Sequence, residues 1–159
     1  MGSVVLGIDP GVSCGVVAYD TEGRGVTYTD TLDIHGALEV LSYRGVGMVA
    51  IERVQSYGIP GRSLLETSES VGRLWQAALM EGLPVRLVYR REVLRALDVT
   101  GKGNRDSLVR ARLLEMHGGT RKAAQGVKAN PGPLYRVKGH EWAALAVAIA
   151  ASLGAGEER

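Results

Sequence analysis

The segment GHEWAALAVAIAASL, Gly139 to Leu153, constrains the fold more than any other part of the chain. From Ala143 to Leu153 it is apolar apart from Ser152. As a helix it has no polar face to offer solvent, and a helix apolar all round has to be buried. The run is too short to cross a membrane, which takes roughly 18 or more apolar residues. The helix therefore needs protein on several sides. Its first turn is of another kind, because His140 and Glu141, both metal or proton ligands by chemistry, open it.

The covering layer is read from the short apolar runs. Val4 to Ile8 is a buried strand ended by Asp9-Pro10-Gly11. Gly15 to Tyr19 and the alternating Gly25 to Leu32 follow, with Asp20-Thr21-Glu22-Gly23 as the turn between them, so three antiparallel strands form a meander. His35 to Tyr43 has helical spacing, with Ile34, Leu38 and Leu41 on one side. Gly45 to Ile51 is apolar on both faces, as a central parallel strand is. Leu64 to Met80 is the longest helix, with Leu65, Val71 or Leu74, Trp75, Ala78 and Leu79 as its buried stripe. Leu83 to Tyr89 is a fifth strand, and helices follow at Arg90 to Leu97 and Asn104 to His117, with Asn104 as N-cap and Gly118-Gly119 as the stop. The order predicts an α/β domain: a mixed five-stranded sheet, three antiparallel strands then two parallel, with helices on both faces.

A length of 159 residues suits one domain over 1–159. Residues 118–139 lack periodicity and hold Arg121, Lys122, Lys128, Arg136 and Lys138 with no acidic residue, so a basic loop is expected there. Residues 154–159 read as a short flexible tail. The one cysteine, Cys14, excludes an internal disulfide and a cysteine-based zinc cluster. The N-terminus has no charged n-region with a long apolar run, so a cytoplasmic setting without membrane attachment is the expectation. A net charge of +2 is compatible with nucleic acid.

Asp9 and Glu52 end two strands that a parallel arrangement brings to one sheet edge, and His140 and Glu141 open the last helix. Carboxylates facing one space repel unless a cation neutralises them, and Mg²⁺ or Mn²⁺ suits oxygen ligands. Two such ions about 4 Å apart hold a phosphodiester, activate a water and stabilise the leaving oxygen. Simpler roles compete: Asp before Pro-Gly is a common turn residue, Ile-Glu-Arg is an ordinary strand end, and a glutamate at a helix N-terminus is favoured by the macrodipole.

Gly7-Ile8-Asp9-Pro10-Gly11 with Gly15 also fits the phosphate hairpin of sugar kinases and actin-like ATPases. Those need two related lobes, and the chain supplies one with no second phosphate loop. GIDPG at the end of strand one, IE at the end of strand four and the final HxxxALAVAIA together resemble RuvC-type Holliday junction resolvases, of the RNase H-like fold. The segments IERVQSYGIPGRS and LYRVKGHEWAALAVA are similar to the RuvC-related branch of bacteriophages.

The resemblance implies a homodimeric, Mg²⁺-dependent endonuclease that nicks a four-way DNA junction symmetrically, with two ions per site. It implies Asp9 and Glu52 as catalytic metal ligands. The family's last helix carries two ligands three residues apart, the second an aspartate. Aligning Ala144-Leu145-Ala146 places them at His140 and Ala143. Ala143 cannot coordinate a metal. The departure leaves three readings: an inactivated variant, a subfamily in which Glu141 completes the metal shell, or a protein that binds junctions without cutting. An RNA-processing nuclease of the same fold is a further reading. Candidate DNA contacts are Arg53, Arg62, Arg73, Lys102, Arg105, Arg121, Lys122 and Lys128 for phosphates, and Tyr57 as a stacking residue.

Overall fold

A computed structural model describes residues 3–159. The central sheet starts as an antiparallel meander of β1 (Val4–Asp9), β2 (Cys14–Asp20) and β3 (Gly25–Leu32). The chain crosses through α1 (Ile34–Val40) to β4 (Val46–Arg53), parallel to β1, then through α2 (Arg62–Met80) to β5 (Val85–Tyr89), parallel to β4. Helices α3 (Arg90–Ala96), α4 (Arg105–Met116), α5 (Arg121–Gln125) and α6 (Glu141–Ser152) follow. Among the described residues no helix is long and apolar enough to cross a membrane.

The five expected strands pair as expected, and a sixth joins them. Residues Glu157–Glu158 form β8, antiparallel to β5, so the sheet order is β3-β2-β1-β4-β5-β8. The tail expected to be flexible is tied down. Arg159 N–H donates to Val85 O at 2.9 Å, and Arg86 pairs with Glu158. The segment 118–139 is likewise more ordered than its lack of periodicity suggests. It holds α5, capped by the Thr120 hydroxyl, and a two-residue ladder between β6 (Gly126–Val127) and β7 (Asn130–Pro131). Ala124, Leu134 and Val137 anchor it to the core.

Two apolar layers sandwich the sheet. One face carries α1 and α2, packed on Leu6, Ile8, Val16, Val49, Ile51 and Leu87. The other carries α6, flanked by α3 and α4, packed on Val5, Val17, Ala50 and Val88. Ten of the twelve residues of α6 are buried, as its composition demands. The helix lies unusually close to the strands because Gly7 and Gly15 have no side chain. A Cβ on Gly7 would overlap the Ala144 carbonyl oxygen, and one on Gly15 would overlap the His140 carbonyl oxygen. Alanines on the helix and glycines on the strands let backbone approach backbone. That contact fixes where the first turn of α6 stands over the ends of β1 and β2.

The stripe on α2 differs from expectation. Val71, Leu74 and Ala78 are buried, whereas Leu65 is 52% and Leu79 is 42% exposed. The 3.6-residue period identified the helix but admitted two neighbouring faces, and the sheet takes only one.

Candidate active site

β1 and β4 are parallel neighbours, with Ile8 opposite Ile51, so Asp9 and Glu52 leave the sheet side by side at its carboxyl edge. β5 ends at the same edge, with Glu52 opposite Val88 and Arg53 opposite Tyr89. The chain turns there directly into α3, a turn closed by the Tyr89 N–H donating to Glu92 Oε2 at 2.7 Å. This puts Arg90 beside the acidic pair. On the other sheet face, His140 caps α6, and its Nδ1 lies 3.8 Å from Asp9 Oδ2. Asp106 enters from the first turn of α4, whose orphan N–H groups at Asp106 and Ser107 bond to the Asn104 side chain, the expected cap.

These residues line one cleft of about 390 Å³, together with Arg110, Trp142 and Ala143. A second cleft continues from it past Pro10, Arg53, Gln55, Tyr57 and Arg91. Asp9 and Glu52 are largely buried, with side chains 21% and 15% exposed. Burial pushes both carboxyls up, and their mutual contact couples them: Glu52 rises from the ordinary 4.5 to about 8, through desolvation first and the Asp9 charge second, against the pull of Arg90. Both shifts oppose ionising the two carboxyls together. A divalent cation would neutralise them, and two close carboxylate oxygen donors with an imidazole at the rim suit a hard ion. Among the described residues no group of three or more His, Cys, Asp or Glu side chains is placed to hold a metal ion.

Glu141 does not belong to this site. Its carboxylate is 1% exposed and accepts from Thr29 Oγ1 at 2.6 Å and Thr31 Oγ1 at 2.7 Å. The step of roughly 100° per helical residue separates it from its neighbour: His140 meets the cleft while Glu141 points over β3. Contrary to the expectation of a metal ligand or catalytic group, Glu141 is spent on β3 and lines neither cleft. Ala143, by contrast, does line the cleft, so its methyl stands where the resemblance expects a carboxylate.

The expected DNA contacts separate into groups. Arg53 and Tyr57 line the second cleft, with Tyr57 86% exposed. Lys102 and Arg105 are exposed at the loop into α4, next to Asp106. Arg62 is exposed and paired with Glu66. Arg121, Lys122 and Lys128 are exposed on the α5–β7 segment and line neither cleft. Arg73 lies with Leu38, Ala77 and Met80 on the free side of α1 and α2, away from the cleft. Sequence reasoning missed Arg90, Arg91, Arg110 and Asp106. Arg53 and Arg91 both stack on the Tyr89 ring, at 5.3 and 4.9 Å, and Arg110 lies 5.3 Å from the Trp142 ring centre. One signal was available: Arg90-Arg91 directly follows a parallel strand, so it had to emerge at the same edge as Asp9 and Glu52.

No family model matches the chain, and no curated protein matches it. Among solved structures it is similar to that of Thermus thermophilus RuvC, with a TM-score of 0.64 and 25% identity over 98% of this chain and 99% of that one. Thermus thermophilus RuvC in complex with Holliday junction substrate is similar at a TM-score of 0.60 and 24% identity, over the same shares of both chains. The RNase H-like architecture expected from the sequence is the one observed, and the likeness to RuvC-type Holliday junction resolvases runs from end to end of the chain.

Proposed function

We propose that this chain is a divalent-metal-dependent endonuclease that resolves four-way DNA junctions by paired nicks. The observation that carries the reading is the buried Asp9–Glu52 pair, set at the ends of adjacent parallel strands in a cleft rimmed by arginines. Asp9 and Glu52 would hold the cation, Mg²⁺ or Mn²⁺, with His140 at its edge. When bound, such an ion polarises the scissile phosphate and lowers the pKa of an attacking water. The chain's own residues do the rest. The Asp9 and Glu52 carboxylates orient the water toward phosphorus. The arginines and Tyr57 along the second cleft hold the strand, with guanidinium groups on phosphates and the ring on an unstacked base.

Symmetric nicking needs two copies, and the exposed apolar side chains of α2, Leu65, Leu79 and Met80, favour a homodimer through that helix. The segments IERVQSYGIPGRS and LYRVKGHEWAALAVA favour the bacteriophage branch, acting in the cytoplasm of a bacterial host.

The test uses a labelled four-way junction with Mg²⁺ or Mn²⁺. Cleavage at paired positions is expected, with linear duplex left intact. Asp9→Asn is expected to remove cleavage and leave junction binding largely unchanged, and cleavage retained in that variant sinks the assignment. Ala143 on the cleft wall favours a second reading, a junction-binding protein that does not cut. Bound, uncut DNA together with cleavage gained in Ala143→Asp would establish it. Structured RNA cut in preference to the junction would make the chain an RNA-processing nuclease.

A further inference from the structure

Arg90 puts a fixed positive charge inside the acidic cleft. Its guanidinium lies 3.7 Å from Glu52 Oε1 and pairs directly with Asp106. It lines the same cleft as Asp9, His140 and the methyl of Ala143. Its backbone is fixed by the strand-to-helix turn at Tyr89, and its side chain is only 31% exposed, so it is not a surface arginine in passing contact.

The charges of the cleft bear on how many ions it can hold. Its lining offers three carboxylates, Asp9, Glu52 and Asp106, and two guanidinium groups, Arg90 and Arg110. Counting ionised carboxylates and guanidinium groups alone, the cleft carries one net negative charge. One divalent ion leaves it with one positive charge, the complement of a single phosphodiester. A second divalent ion would leave three positive charges with no further carboxylate to share them, since Glu141 is committed to Thr29 and Thr31 and position 143 is a methyl. Like charges crowded into a partly buried site oppose one another strongly.

We propose that Arg90 is the built-in second cation of this site: the cleft takes one divalent ion at Asp9 and Glu52, and the Arg90 guanidinium, anchored by Asp106, meets the phosphate oxygens in place of a second ion. The inference rests on the endonuclease reading of the same cleft. Guanidinium suits the task, being always charged and able to grip two phosphate oxygens with parallel N–H donors. A positioned arginine also stabilises charge that develops on a phosphoryl group during displacement. On this account Asp106 is a positioning residue, which holds the guanidinium against Glu52 before substrate arrives.

The test counts Mn²⁺ bound by the metal-free protein at neutral pH without DNA, by the electron paramagnetic resonance signal of free Mn²⁺ and by calorimetry. One ion per chain is expected. Arg90→Gln, which frees Glu52 and Asp106, is expected to bind a second ion or to hold the first roughly tenfold more tightly, while Arg90→Lys keeps the count at one. Circular dichroism of each variant checks that it is folded. Two ions per chain in the unaltered protein, no bound ion, or a count and affinity unchanged in folded Arg90→Gln would each overturn the proposal. A junction left uncut by a protein that binds one ion and responds to Arg90→Gln overturns the endonuclease reading and leaves the charge assignment standing.

Discussion

Helices α6 and α2 lie on opposite faces of the same sheet and meet it by different means. α6 is sunk into the sheet surface over Gly7 and Gly15, with ten of its twelve residues buried. α2 is longer, at nineteen residues, yet buries only Val71, Leu74 and Ala78 and leaves Leu65, Leu79 and Met80 in solvent. The first contact is backbone against backbone and leaves no freedom of rotation or translation. The second is a side-chain stripe, which leaves the opposite face unoccupied. α6 so held stands with His140 3.8 Å from Asp9, whereas α2 keeps an exposed apolar face that the proposed homodimer would cover.

The sharpest way to break the contrast is Gly7→Val. The new side chain would collide with the Ala144 carbonyl and the Ala148 methyl. Neither is the end of a flexible group, so loss of the cooperative melting transition is expected. A fully folded variant with unchanged melting temperature would mean that α6 is not held as described. Leu74→Ala, on the buried stripe of α2, is expected to cost about 2–5 kcal/mol in urea unfolding.

A third measurement separates the two faces by pH. Glu52 has its pKa raised, so in the metal-free protein its folded form keeps a proton that the unfolded chain has lost. That contribution to stability is present below about 4.5 and is lost as pH rises towards about 8. His117, buried and bonded to the Tyr19 hydroxyl and Leu113 O, has its pKa lowered by desolvation and works in the opposite direction. The difference between wild type and Glu52→Gln therefore isolates the effect. The variant should be the more stable of the two at pH 8 without metal, by a few degrees, and should gain less from Mg²⁺. Equal melting temperatures across the range would remove the electrostatic account of the cleft. The smallest effect is reserved for Leu65→Ala, expected within about 0.5 kcal/mol, with any larger change appearing only in the self-association of the protein.

The strands, their order and the meeting of Asp9 with Glu52 were legible because each rests on a local rule. Apolar runs mark strands, and parallel strands end at one edge. His140 was legible for a related reason, since the start of an apolar helix is visible in the sequence. Three things were not. The side that Glu141 faces depends on how far α6 rotates over β3, which the strand glycines decide, and no periodicity in so apolar a helix reports it. Arg90 and Asp106 look like any solvated pair of charges sixteen residues apart until the α3–α4 fold closes over the cleft. The stripe on α2 was half right because Leu65 and Leu79 sit beside the buried face without belonging to it.

The short pairing of Glu157 and Glu158 with β5 has a consequence for the life of the protein in a crowded solution. A bare parallel edge with a run such as Val-Arg-Leu-Val-Tyr is a template on which other chains can add as strands. Here that edge is already occupied, over Arg86 and Leu87, by two residues too few to extend the ladder and each bearing a carboxylate. Trimming the chain before Glu157 would expose the template and also release Arg53, on the wall of the second cleft, from its pairing with Glu157, and the shortened protein should turn cloudy on standing at concentrations where the full chain stays clear.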